Sequence, residues 1–301
     1  MRGTMRKGYA DTPMGPLHWV EVGQGAPLLL LGPTPRSWRV FAQLLPLLED
    51  RFRVIVVEQP GTGESVSAPD ATIEHVAAAV GEALGALVGA QAMVFGLHSG
   101  AKVAVALAAN APHLVSTLVL CGKSHSIAPD MELRNRATRA AVERHYFVNG
   151  AGDSSGGDTA RSWQAVVRNA TALLLDDDLV RASPARLDSA ASKLADTLNT
   201  RDTVLAGYRA NFAFDLALRA AAVTCPTTIV EIVSPAEDAA IGRQGEALAR
   251  IMRDARVVTL PETDRIGIDL HAGTEAIASE ILKASEAGRH VATGHRDGAA
   301  D

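Results

Sequence analysis

The sequence predicts an α/β protein: a mostly parallel central sheet flanked by helices, with a helical block inserted late in the chain. Three observations carry that reading. Short continuous apolar runs, the mark of strands buried on both faces, alternate with helix-spaced stripes through the first 121 residues. The rhythm stops after Ser126, gives way to a long helical pattern, and resumes at Thr227. Between a strand-like run and an apolar helix stands Gly96-Leu97-His98-Ser99-Gly100. Two glycines four apart at such a junction mark a sharp turn in which the backbone passes close at both flanks.

The elements follow in order. Residues 9–11 and 17–22 read as an edge hairpin, with Gly15-Pro16 in its turn. Residues 28–31 and 53–57 read as buried strands with a helix over 38–49 between them. Thr72 is placed to cap the next helix, and Ile73, Val76, Val80, Leu84 and Leu87 are spaced as one apolar stripe. Residues 93–95 and 114–121 are two more strands, separated by the apolar helix that opens at Ala101. Helices are expected over 132–147, 160–175, 184–198 and 203–221, with a Gly/Ser/Asp-rich loop over 150–158. A strand over 227–233, a helix over 242–253, a strand over 256–260 and a helix over 274–284 complete the chain. The implied division is a core of residues 8–126 and 223–285, a helical cap over 127–222, and disordered ends over 1–7 and 286–301.

Composition narrows the function. The chain has 301 residues, 47% hydrophobic and 21% charged, which suits one large α/β domain or two small ones. A net charge of −5 without a basic block argues against nucleic acid, and 4% aromatic residues argue against a base-stacking platform. The longest apolar stretches, such as 27–32, are far too short to span a membrane. Residues 1–7 are basic but no apolar segment follows, so no signal peptide is expected. Cys121 and Cys225 read as buried thiols, which suits a reducing cytoplasm. The histidines and cysteines lack ligand spacing, so neither a structural metal nor a redox cofactor is expected.

Four segments together resemble the α/β-hydrolase superfamily: 28–38, 54–65, the glycine-flanked turn, and 224–282. Val56-Val57-Glu58-Gln59-Pro60-Gly61-Thr62-Gly63-Glu64-Ser65 is similar to that family's strand and D-x-x-G-x-G-x-S turn, with Glu58 in place of Asp. Glu58 is expected to take a structural hydrogen bond. The resemblance implies a nucleophile at the centre of the G-x-S-x-G turn. Counting back from Pro112 puts His98 there, and the competing register puts Ser99 there. The family's His-Gly-x-Pro loop corresponds to Gly32-Pro33-Thr34-Pro35, which implies an oxyanion hole from the N–H groups of Thr34 and Ser99. The family's acid falls in Ser234-Pro235-Ala236-Glu237-Asp238, where Asp238 fits best, although a solvated acidic turn fits equally well. The family's Gly-His pair falls on Asp264 and Arg265, and His271, six residues later, reads as a surface or capping residue. A serine without a base is a poor nucleophile at neutral pH.

Three readings follow. In the first, the chain is a cofactor-independent enzyme acting on a small carbonyl or ester-like compound. His98 is its general base or nucleophile, since imidazole titrates near neutral pH. Asp238 or Asp264 orients the ring, and Arg265 or Arg36 holds the substrate. Pro33, His125 and Trp163 line the pocket, as do Tyr208, Phe212 and Phe214 unless they only pack the helices. In the second, the pocket binds a small ligand without turnover. In the third, Ser99 works as an esterase serine with His125 or His271 as base.

Overall fold

The computed structural model describes residues 4–146, 184–200, 203–263 and 272–294. Eight strands form one sheet: β1 (Arg6–Ala10), β2 (Leu17–Val22), β3 (Ala26–Leu31), β4 (Phe52–Val57), β5 (Ala92–Leu97), β6 (Val115–Lys123), β7 (Thr227–Val233) and β8 (Ala255–Pro261). They lie in the order β1-β2-β4-β3-β5-β6-β7-β8. β1 and β2 are antiparallel to each other and β2 is antiparallel to β4, whereas all remaining neighbours are parallel. The helices described are α1 (Leu45–Leu48), α2 (Ile73–Val88), α3 (Ser99–Asn110), α4 (Ser124–Ile127), α5 (Met131–Tyr146), α6 (Pro184–Asn199), α7 (Thr203–Ala213), α8 (Leu216–Ala220), α9 (Pro235–Ala240), α10 (Gly245–Ala249) and α11 (Thr274–Gly294).

The strand sequences explain the layering. Side chains alternate across a sheet, so a strand with helices on both faces needs apolar residues at every position. In β3, Leu29 and Leu31 join the cluster that includes α2 and α3, while Leu28 and Leu30 join the cluster that includes α1 and α11. The same alternation separates Ile55 and Val57 from Val54 and Val56, and Leu118 and Leu120 from Val119 and Cys121. Each fully buried Leu or Val contributes about 1.5–3 kcal/mol relative to exposure. Thr72 caps α2 through its side chain, which accepts from the His75 N–H, and the stripe beginning at Ile73 is buried as far as Leu84. Cys121 and Cys225 are free thiols, and burial pushes the Cys225 thiol up to about 11.

Several boundaries differ from the sequence expectation. The single helix over 38–49 is a 3₁₀ turn at Trp38–Phe41 and the one-turn α1, with Pro46 near the start of α1 interrupting the N–H ladder. The helix over 203–221 is two helices, because the Asp215 side chain accepts from Leu218 N–H and starts α8 afresh. A helix, α9, replaces the expected loop after β7, since Ser234 caps it and Pro235 suits its first turn. Residues 6 and 7 belong to β1, with Arg6 paired to Glu21, and α11 runs to Gly294 through the expected tail. The expected helix over 160–175 and loop over 150–158 lie outside the described residues. No described helix is long and apolar enough to cross a membrane.

Two substitutions in α2 test this account. Nothing lies within 4 Å of a Cβ built at Gly85. Gly85→Ala is therefore expected to stabilise the protein by about 0.5–1 kcal/mol. Thr72→Ala removes the cap and is expected to destabilise by about 1 kcal/mol. Urea denaturation midpoints read both.

Candidate active site

Chain connections leave β3 toward β4 on one side and leave β5 toward β6 on the other, although β3 and β5 are neighbours. Connections that diverge between adjacent parallel strands open a crevice at the strand C-terminal ends, where ligands bind. His98 stands in that position, the single residue between β5 and α3, with φ 50° and ψ −114°. It is the one non-glycine residue with positive φ among the described residues. Such a conformation costs about 1–3 kcal/mol and persists only where the surroundings enforce it. The enforcement is visible on both flanks. A Cβ at Gly100 would sit 2.2 Å from the Leu31 carbonyl oxygen, and one at Gly96 would sit 2.6 Å from Ala101 Cα. The glycines are required by close backbone approach, and the strain falls on His98 between them.

A small network orients the His98 ring. Its backbone N–H donates to the Cys121 carbonyl at 2.8 Å, tying the turn to β6. Its Nδ1 lies 3.2 Å from Ser126 Oγ, and that hydroxyl donates to the Lys123 carbonyl at 2.8 Å. A hydroxyl has one proton, so Ser126 Oγ accepts from His98 Nδ1–H. Nε2 is then the ring nitrogen with the lone pair. Gly122 leaves room for this contact, since a Cβ there would come within 2.3 Å of Ser126 Oγ. Lys102, one turn further along α3, is fully buried and donates to the Ser126 carbonyl. Burial, reinforced by the Arg134 charge, holds the Lys102 amine well below its usual value. Arg134 is buried too, lowered to about 10 by desolvation against the opposing Asp215 charge, and donates to the Phe212 and Phe214 carbonyls.

The loop after β3 is closed from two directions. Thr34 N–H donates to Ser99 Oγ at 2.8 Å, so the donor that sequence reading assigns to an oxyanion hole is engaged by a side chain here. Ser99 is the first residue of α3, and its own N–H is one that a helix leaves without an intrahelical acceptor. Arg36 is buried rather than presented to a substrate: its Nε meets Asp196 Oδ2 of α6 at 3.0 Å, and Ser37 N–H donates to the same oxygen at 3.1 Å. Gln43 adds a bond to Ser189 Oγ at 3.1 Å. Gly207 of α7 lies over Thr34, with a built Cβ only 2.5 Å from Thr34 Cγ2. Pro33 is half-buried in the tight turn that its carbonyl makes with Arg36 N–H, 2.7 Å. Glu58 takes the structural role expected of it, accepting from His18 Nδ1, Trp38 N–H and Glu64 N–H at 2.8–2.9 Å.

At the ends of β6 and β7 the two adjacent carboxylates take different partners. Asp238 faces outward in a bidentate pair with Arg243 at 2.7 and 2.9 Å. Glu237 turns inward and meets His125 Nδ1 at 2.5 Å. Consecutive residues on a helix point about 100° apart, so the helical start at Ser234 decides which carboxylate faces inward. Burial alone raises the Glu237 carboxyl. The hydrogen bond and charge of His125, with the Lys123 charge, outweigh that and hold it below 4.5. Lys123 itself pairs with Glu262 at 2.5 Å.

His98, Ser99, Thr34 and His125 thus gather at one end of the sheet, whereas Asp238 and Arg36 are committed elsewhere. Asp264, Arg265, Trp163 and His271 lie outside the described residues. Sequence reading missed Ser126, Lys102 and Asp196, and ranked Glu237 behind its neighbour Asp238. Only Glu237 carried a local signal, the Ser-x-x-Glu spacing of a helix start at Ser234. A surface groove of about 310 Å³ between α2 and α3, which includes Gly81, Leu107 and His113, lies at the far end of α3 from His98. No cluster of three or more potential metal ligands occurs among the described residues.

Comparison with known proteins adds context. Residues 25–275 match the family model described as alpha/beta hydrolase family. A pimeloyl-[acyl-carrier protein] methyl ester esterase from Vibrio campbellii is 32% identical over 118 residues, 39% of this chain and 45% of that protein. The match therefore spans less than half the length of that relative. A thermophilic esterase from Thermogutta terrifontis shares the fold at TM-score 0.65 and 21% identity, covering 94% of this chain and 99% of that one. An enol-lactonase from Burkholderia xenovorans LB400 shares it at TM-score 0.59 and 20% identity, covering 92% and 98%.

Two measurements test the contacts around the site. Asp196→Ala removes the carboxylate that meets the buried Arg36 Nε and Ser37 N–H, and is expected to destabilise by about 3–5 kcal/mol in urea unfolding. Glu237 is held below 4.5, so its stabilisation is fully present above that pH and is lost as the pH falls through the lower folded-state value. The difference in unfolding free energy between the wild type and Glu237→Gln is expected to shrink on acidification below pH 4.5.

Proposed function

The chain belongs to the alpha/beta hydrolase family, and on that premise we propose that it is a cofactor-independent enzyme cleaving a small ester or related carbonyl compound. His98 stands in the nucleophile position of this reading, and the helices between β6 and β7 form the cap over it. The carrying observation is the positive φ of His98 between β5 and α3, enforced by the Gly96 and Gly100 contacts. A strained turn of this kind presents its side chain at the strand edge. With Nδ1 held by Ser126, Nε2 is the atom that takes a proton from water or attacks the carbonyl carbon. The esterase named among the relatives supports an ester as the substrate class. The substrate is a small molecule, with no nucleic acid or membrane surface involved.

One observation favours a second reading, a pocket that binds a small ligand without turnover. The Thr34 N–H, a donor that a developing oxyanion needs, already bonds Ser99 Oγ. The same contact weighs against Ser99 as the nucleophile, because its hydroxyl is turned to the loop after β3.

A panel of p-nitrophenyl esters and small lactones, assayed with wild type, His98→Ala and Ser99→Ala, separates the readings. Loss of turnover by at least about 100-fold in His98→Ala, with Ser99→Ala retaining activity, is the expected result. Loss confined to Ser99→Ala establishes the serine mechanism instead. Binding detected by thermal shift, with no turnover by the wild type, establishes the ligand-binding reading.

A further inference from the structure

His125 and Glu237 form a pair that the function above leaves unused. His125 belongs to α4, immediately before Ser126, whose hydroxyl holds the His98 ring. His125 thus follows the C-terminal end of β6, and His98 follows that of β5, its parallel neighbour. Glu237 comes from α9, after β7. The carboxylate meets Nδ1 at 2.5 Å, which directs the ring proton there and leaves Nε2 as the reactive nitrogen. The His125 side chain is 27% exposed while Glu237 is 15% exposed, so the carboxylate supports the ring from behind and the ring meets solvent. The second carboxylate oxygen, Oε2, is buried with no hydrogen-bond partner among the described residues.

We propose that His125, positioned by Glu237, is the proton-transfer catalyst of this site and works with His98 as nucleophile. The proposal rests on the hydrolase reading. His98 Nε2 attacks the carbonyl carbon of the ester, forming a C–N bond. The C–O bond to the alcohol breaks, and protonated His125 gives its Nε2 proton to the departing oxygen. The product is an acyl-imidazolium whose Nδ1–H still donates to Ser126. Neutral His125 then takes a proton from water as the water oxygen attacks the acyl carbon. The C–N bond breaks, the carboxylic acid leaves, and His98 and protonated His125 are restored. Ester and water are consumed, acid and alcohol are formed, and no other reactant is needed.

The surrounding charges leave this pair distinct. Lys123, at the end of β6, is paired with Glu262 after β8. Asp238 on α9 is paired with Arg243. Glu231 of β7 is held by the N–H groups of Gln244 and Gly245. Lys102 of α3 donates to the Ser126 carbonyl.

The test uses p-nitrophenyl butyrate, whose leaving group departs without a proton. His125→Gln is expected to release one p-nitrophenolate per protein in a burst. Its steady-state rate is then expected to fall by about 10²–10⁴-fold with KM little changed. Intact-mass and peptide spectra are expected to show one butyryl group on His98, and His98→Ala to show neither burst nor adduct. Glu237→Gln is expected to lower kcat while Glu237→Asp recovers part of it. The ¹⁵N shifts of His125 are expected to lose the Nδ1–H signature only in the Gln variant. Steady-state turnover of His125→Gln within threefold of the wild type, with His98→Ala inactive, overturns this proposal alone. A wild type with neither burst nor turnover on any ester overturns the hydrolase reading and this proposal with it.

Discussion

The close approach of α3 to the end of β3 is the constraint on which the rest of the site depends. Gly100 passes beneath the Leu31 and Gly32 carbonyls with no room for a methyl group. That contact sets how far α3 inserts into the sheet edge, and so the sharpness with which the chain must turn after Leu97. The turn cannot be relaxed at Gly96, which is pressed against Ala101. The remaining strain is concentrated in one residue, and that residue is a titratable one. Backbone packing, rather than any interaction of the imidazole, therefore selects the position of His98. The ring is then held by groups on β6 and α4, the neighbouring strand and the turn that follows it.

Among the described residues, specific contacts fasten α6 and α7 to the loop after β3. Arg36 and Ser37 both converge on Asp196, and Gly207 rests directly on Thr34. A buried ion pair of this kind is weak evidence for net stability but defines a register, because either charge alone is costly. The loop after β3 is thus gripped between α3 below and α6 and α7 above. Its donor groups are arranged by those helices as much as by its own sequence.

The fold was legible because its strands are continuous runs of Leu, Val and Ile, bounded by turns and separated by helix-spaced stripes. Where the reading failed, a single residue redirected the chain: Pro46 split one expected helix, Asp215 restarted another, and Ser234 turned a loop into α9. His98 was legible because two glycines at fixed spacing leave a local trace. Glu237 was half legible. The acidic segment stands out in the sequence, but which of its two adjacent carboxylates meets His125 depends on helical phase. Arg36 and Asp196 lie 160 residues apart, and no local pattern announces such a partner. Ser126 and Lys102 were likewise invisible, since a small hydroxyl and a lysine at those positions acquire meaning only when β6 and α3 meet.

Lys102 carries a consequence for the energetics of the whole chain. An amine enclosed under the site, beside the Arg134 guanidinium, favours its uncharged form in the folded protein, while the unfolded chain keeps the usual value of 10.5. Between those two values folding expels a proton. The burden of enclosing this amine is greatest below the folded-state value and fades as the pH rises toward 10.5. The helix that presents His98 is thus coupled to proton release, and alkaline conditions relieve a tension that the fold carries at lower pH.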